Sequence, residues 1–152
     1  MRIARAKATR VAAARSSDIV LAADTVVVGD ERLMGKPTDR QDAASMLKVL
    51  SGRTHDVHTA VVVRGPGLNA EELVTTRVRF QPLSESEIEW YLETGEPEGK
   101  AGAYGIQGRA SRFIDWIEGS WSNVVGLPIS TVYRLLKDRD ALSGTNGPSR
   151  GF

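Results

Sequence analysis

The chain is 152 residues long, carries 20 Lys and Arg against 19 Asp and Glu for a formal net charge of +1, and contains no cysteine. That length suits one domain with its own core. The near-balanced charge excludes a global field that would draw a nucleic acid polymer or an anionic membrane surface, so any anion must be recognised locally. A disulfide framework and a thiolate zinc site are excluded as well.

No apolar run approaches the roughly 18 residues needed to span a bilayer, and the N-terminal MRIARAKATRVAAARSS lacks the apolar core of a secretory signal. Residues 2–15 read as a helix, because Ala, Arg and Lys are strong helix formers. Ile3, Lys7 and Val11 recur at i, i+4 and i+8 and define its inward stripe. Lys7 on that stripe either snorkels its ammonium to water or serves as a phosphate ligand.

The stretch from Asp18 to Pro37, DIVLAADTVVVGDERLMGKP, organises the chain. Ile19–Ala23 and Val26–Val28 form an apolar, β-branched run that predicts a strand buried on both faces, as in a parallel or mixed sheet. Asp24 and Thr25 interrupt it. A carboxylate there is costly unless a metal ion, a lysine or a polar substrate pairs with it, and Lys36 follows in a rigid Gly-Lys-Pro setting. The turn is not a P-loop: five residues separate Gly29 from Gly35, and Pro37 rather than Ser or Thr follows the lysine.

Thr38 and Gln41 have the spacing of a capping box, opening a helix that turns Ala43, Ala44, Met46, Leu47 and Leu50 inward and stops at Gly52. A strand follows from about Asp56 to Arg64. His55 and His58 are three apart, on opposite faces of a strand, so they read as hydrogen-bonding structural residues rather than metal ligands. The next strand alternates, with Val74, Thr76, Val78 and Phe80 on its inner face. Ser84 and Glu87 predict a second capping box for a helix carrying Ile88, Tyr91 and Leu92.

GEPEGKAGAYGIQG, residues 95–108, has five glycines in fourteen residues, a composition that lets backbone approach a ligand closely. Glu96, Lys100, Tyr104 and Gln107 supply polar groups there; the Gln107 amide carries both a donor and an acceptor, which suits the imide edge of uracil or thymine. Residues 112–119 alternate like a strand. A last helix begins near Pro128 and turns Ile129, Val132, Tyr133, Leu135 and Leu136 inward. The domain is expected to span 1–137, with 138–152 a disordered tail.

The motifs LAADTVVV, GKPTD, LSGRTHDVHTAV, TGEP, KAGAYGIQG and GSWSNVVGLP, in this order, resemble the Maf family of nucleoside triphosphate pyrophosphatases. The resemblance implies an α/β fold shared with inosine triphosphate pyrophosphatases, a mixed sheet flanked by helices around a nucleotide cleft. It implies hydrolysis of dTTP, UTP or modified pyrimidine nucleotides to the monophosphate and pyrophosphate, with Mg²⁺ or Mn²⁺ as cofactor. By the same resemblance Asp24 is the proton acceptor and metal-associated carboxylate, and Lys36 and Lys7 lie at the phosphates. Thr25 and Gln107 match the branch acting on dTTP and UTP, while Glu96 and Lys100 complete the expected substrate-binding set. A cytoplasmic protein with a nucleoside triphosphate as its partner, capable of forming a homodimer, is expected. Family members carry a strand and an LAS-x-SPRR loop before the lysine helix, and this sequence does not contain that segment. The alternative expectation is therefore a catalytically impaired nucleotide-binding or cell-division regulatory protein.

Overall fold

The computed structural model describes residues 1–137; the expected tail, 138–152, lies outside the described residues. The chain runs α1 (Arg2–Ala14), β1 (Val20–Gly29), β2 (Arg32–Met34), α2 (Arg40–Leu50), β3 (Thr54–Gly65), β4 (Leu68–Phe80), α3 (Glu85–Glu93), β5 (Ile114–Glu118), α4 (Trp121–Val125) and α5 (Ile129–Lys137). The five strands form one sheet in the order β2-β1-β3-β4-β5. This is the expected α/β architecture of a sheet flanked by helices. Its polarity differs from the parallel or mixed sheet expected, since every strand pair among the described residues is antiparallel.

Local chemistry explains the polarity of β1–β2 and β3–β4, because two-residue loops can join only antiparallel neighbours. Asp30 and Glu31, both at positive φ (51° and 59°), turn β1 into β2. That is the conformation of a type I′ hairpin, whose twist matches the strands. Pro66 and Gly67, the latter at φ 67°, turn β3 into β4, the residue order of a type II turn.

Strand β3 is the sheet's centre. Val57, Val61 and Val63 point to one face and Ala60 and Val62 to the other, all buried. On the first face, α2, α3 and β2 cover Val27, Val57, Val78 and Phe80 with Met34, Leu47, Leu50 and Tyr91. Further along that face, Val132 of α5 packs with Val61, Val63 and Leu68. On the second face α1 covers Val20, Ala60 and Val62.

Helix α1 does not seat itself on the predicted stripe. Ala4 and Ala8 are buried, whereas Ile3 is 51% and Val11 45% exposed. Two methyl side chains let the helix backbone come close to Ala60 and Val62, and the larger Ile3 and Val11 cannot fit that gap. Strand β1 departs from its reading too. Leu21 is exposed and Ala22–Val26 only partly buried, because β2 pairs only with Val27–Gly29 and leaves the preceding edge of β1 open among the described residues.

Smaller differences follow local hydrogen bonding. The α2 cap is Asp39, which accepts from the Asp42 N–H at 2.8 Å, while Asp42 reaches back to the Thr38 N–H at 3.0 Å. The cap is thus one residue beyond the predicted Thr38, and the return bond goes to Thr38 rather than to the cap residue's own N–H. Strand β5 begins at Ile114 because residues 109–113 form a 3₁₀ turn instead. The short α4, capped by Ser120 and ended by Gly126 at φ 118°, precedes the last helix and was not anticipated. In α5, Val132 is buried but Ile129 and Tyr133 are more than half exposed, the helix turning Thr131 inward in their place. The Ser84–Glu87 capping box of α3 forms as predicted.

Enlarging the α1 contact tests which stripe is buried. Ala8→Leu should lower stability in urea unfolding by about 1–3 kcal/mol through overpacking, while Ile3→Ser should change it by no more than about 0.5 kcal/mol.

Candidate active site

A cavity of about 300 Å³ lies at the open edge of β1 and is lined by Lys7, Asp24, Thr25, Lys36, Lys100 and Gln107, with Tyr104, Val124, Val125 and Gly126 among its other walls. Six of the seven residues singled out from the sequence therefore meet in one place. That volume sits at the small end of ligand sites, typically about 300–1,000 Å³.

Asp24 is set by register. It pairs with Ala60 on the face covered by α1, and the Lys7 ammonium donates to its Oδ1 at 2.9 Å. The partner of Asp24 is thus Lys7, not the nearer-in-sequence Lys36. The Asp24 side chain is 20% exposed and that of Lys7 55%, so the pair sits at a wet rim. An exposed ion pair of this kind stabilises the fold only slightly. Thr25, one residue on, points to the opposite face, and its Oγ1 lies 2.9 Å from Oγ1 of the fully buried Thr59.

Lys36 and Lys100 arrive from two loops that are tied together. The Gly102 N–H donates to the Gly35 carbonyl at 3.0 Å. Gly102 adopts φ 69°, and a Cβ there would meet Val27 at 2.8 Å, so only glycine lets this loop press against β1. The Lys100 ammonium donates to the Glu96 carbonyl at 2.7 Å. Gln107 is exposed at the cavity.

Glu96 is the one residue of the expected substrate-binding set that the structure does not bring to the cavity wall. Its carboxylate does not line the cavity; it accepts from the Tyr91 hydroxyl at 2.8 Å, the Arg109 N–H at 2.8 Å and the Ala110 N–H at 3.3 Å. Burial pushes its pKa up, but these three donors outweigh that and hold it below the usual carboxylate range. A Cβ at Gly108 would collide with this carboxylate at 2.4 Å. At Gly102 and Gly108, then, the glycines of the loop admit the protein's own Val27 and Glu96, where the sequence reading expected a ligand.

The histidines divide as their spacing implied. His55 is buried, with its Nε2 2.8 Å from the Tyr104 hydroxyl, and Nδ1 of His58 lies 2.8 Å from Thr75 Oγ1. Burial pulls the His55 pKa down to about 4 and pushes the Tyr91 and Tyr104 hydroxyls well above their ordinary value. Among the described residues no group of three or more His, Cys, Asp and Glu gathers to hold a metal, and no helix is long and apolar enough to cross a membrane.

Sequence reasoning missed the wall formed by α4 and the buried Thr59. The signals were present: Ser120 and Gly126 bracket a short helix, and Thr59 interrupts an otherwise apolar inner face.

Fold and cavity together define an α/β protein with a cleft for a compact polyanion, since three ammonium groups there face one carboxylate. The chain belongs to the family described as Maf-like protein, whose model matches residues 1–139. It is 52% identical over 136 residues to a protein of Koribacter versatilis named dTTP/UTP pyrophosphatase, covering 90% of this chain and 70% of that relative. A relative of the same name from Symbiobacterium thermophilum is 52% identical over 139 residues, covering 89% of this chain and 70% of its own. One from Pyrococcus abyssi is 47% identical over 135 residues, covering 89% and 72%.

Two measurements test the supports of the site. An unfolded histidine titrates near 6.5 and His55 near 4 in the fold, so between these values the unfolded chain binds more protons. The stability that neutral His55 contributes is complete above about pH 6.5 and is lost as pH falls toward 4, by about 3 kcal/mol in all. Chemical unfolding across that range should show the slope, and His55→Gln should flatten it. Glu96→Ala, which strands two backbone N–H groups, should cost about 1–3 kcal/mol, read as a lowered urea midpoint.

Proposed function

We propose that this protein hydrolyses dTTP and UTP to the monophosphate and pyrophosphate. The observation that carries the reading is the meeting of Asp24, Lys7, Lys36 and Lys100 with Thr25 and Gln107 around one cavity. The names of the relatives from Koribacter versatilis and Symbiobacterium thermophilum support it.

Attack of water on the α-phosphorus needs a base that orients and deprotonates the water, and cations where charge develops. Asp24 takes the first role; Lys7, Lys36 and Lys100 take the second. Because Lys7 engages only one carboxylate oxygen of Asp24, the other oxygen is left to receive the proton. An arriving triphosphate competes with Asp24 for the Lys7 ammonium, which shifts that charge from holding the base to holding the substrate. Thr25 and Gln107 face the base, where one acceptor and one amide match the polar edge of uracil or thymine.

A divalent cation fits this donor set. One carboxylate with no surrounding protein cage suits a hard ion that completes its shell with water and substrate oxygens, the habit of Mg²⁺ in phosphate sites. Asp24 would hold Mg²⁺ or Mn²⁺ there. Such an ion neutralises phosphate charge and lowers the pKa of bound water. The reading includes a cytoplasmic setting, where nucleoside triphosphates are made and consumed, and a chain capable of forming a homodimer.

Purified protein incubated with UTP, dTTP, CTP, dATP and GTP should release pyrophosphate preferentially from UTP and dTTP. Asp24→Asn should lower turnover by about 100-fold or more with an unchanged circular dichroism spectrum, and Lys36→Ala should raise KM. Stepwise release of single phosphates, or full activity in Asp24→Asn, would overturn the assignment.

A further inference from the structure

The polar groups beneath Thr25 fix the direction of its hydrogen bond. Thr59, wholly buried, donates its only hydroxyl proton to the backbone carbonyl of Asn123 at 3.1 Å, an atom that can only accept. Two acceptor lone pairs cannot face one another at the 2.9 Å that separates Thr25 Oγ1 from Thr59 Oγ1, so the proton between them comes from Thr25.

Asn123 is itself immovable. Its Nδ2 donates to the Val57 carbonyl at 3.0 Å and to Thr76 Oγ1 at 3.1 Å, and the carbonyl allows no flipped amide. Thr76 is committed too, donating to the Ser120 carbonyl at 3.0 Å and accepting from the Ser120 N–H at 3.1 Å. All of these groups are buried or partly buried on β3, β4 and α4, so water cannot readily relieve the order. The protons therefore run in one order, from Thr25 to Thr59 and from Thr59 to the Asn123 backbone carbonyl.

We infer that Thr59, anchored on Asn123, is a positioning residue that makes the Thr25 hydroxyl an obligate acceptor at the cavity, so that the site selects a base edge offering a ring N–H. This deepens the reading of dTTP and UTP as substrates and rests on it. Uracil and thymine carry a proton on the ring nitrogen where cytosine carries a lone pair; an acceptor that has spent its own proton attracts the first and repels the second. A buried polar group built to receive one partner discriminates strongly against an analogue that lacks it.

The test uses Thr59→Val, which keeps shape and removes the hydroxyl, and Thr59→Ser, which restores it. Freed from Thr59, the Thr25 hydroxyl turns and donates. The ratio of kcat/KM for UTP to that for CTP should then fall about tenfold in Thr59→Val and return in Thr59→Ser. An unchanged ratio in Thr59→Val would overturn the inference. A second measurement needs no substrate: by NMR, the protected hydroxyl proton of Thr59 should persist in Thr25→Val, because its acceptor is Asn123. Its loss in that variant would mean that Thr59 donates to Thr25, and would overturn the order directly. If the wild-type chain released no pyrophosphate from UTP while this proton stayed protected, the function reading would fall and the fixed acceptor would stand.

Discussion

The structure depends on the register of β3 against β1. β3 is hydrogen-bonded along both edges, to β1 from Asp56 to Arg64 and to β4 from Thr54 to Gly65. Its side chains alternate between two covered faces, so a slip of one residue would send every buried valine to the wrong side. The same register puts Asp24 beside Ala60 and Thr25 beside Thr59. Adjacent residues of one strand thereby reach different neighbours: the carboxylate meets the lysine of α1, and the hydroxyl meets the polar groups under α4. One residue step along a pleated strand thus sends a carboxylate and a hydroxyl to opposite faces at the same cavity.

The open edge of β1 is what turns that step into a site. β2 covers only Val27–Gly29, so side chains from both faces reach the same cavity. Around it the chain holds its loops from within. Glu96 gathers the Tyr91 hydroxyl and two backbone N–H groups, the Gly102 N–H ties the glycine loop to Gly35, and His55 props Tyr104 from below. These bonds keep the cationic side chains on rigid supports, with the Lys7 ammonium held by Asp24, the Lys100 ammonium held by the Glu96 carbonyl and Lys36 exposed. Lys7 is the link between fold and chemistry, because Ala4 and Ala8 seat α1 closely enough for its ammonium to touch Asp24.

Much of this was written in local patterns. The strand around Asp24, the Ser84–Glu87 box, the alternation of β4 and the glycine-rich loop each express short-range chemistry and each forms where it was read, although β1 is less buried than its apolar run implied. The motif order placed the chain among Maf-like proteins, a membership its match over residues 1–139 bears out. What local pattern could not yield is any quantity set by the thickness of a gap. Helix α1 offers two rows at helical spacing, Ile3–Lys7–Val11 and Ala4–Ala8, and hydrophobicity favours the larger residues; only the closeness of Ala60 and Val62 makes the methyls win.

The same division governs the site. Residue type alone determined that Asp24, Lys7, Lys36, Lys100, Thr25 and Gln107 had suitable chemistry, since charge, donor count and acceptor count belong to the side chain whatever its surroundings. Tertiary structure decided that Lys7 rather than Lys36 meets Asp24, that Glu96 braces a loop instead of facing the cavity, and that Thr59 and Asn123 stand behind Thr25. Those outcomes join residues 17, 13 and 64 positions apart in pairs such as Lys7–Asp24, Glu96–Arg109 and Thr59–Asn123. A hydrogen bond works over about 3 Å and its direction depends on every partner at once, so no spacing along the chain can specify it before the strands are in register.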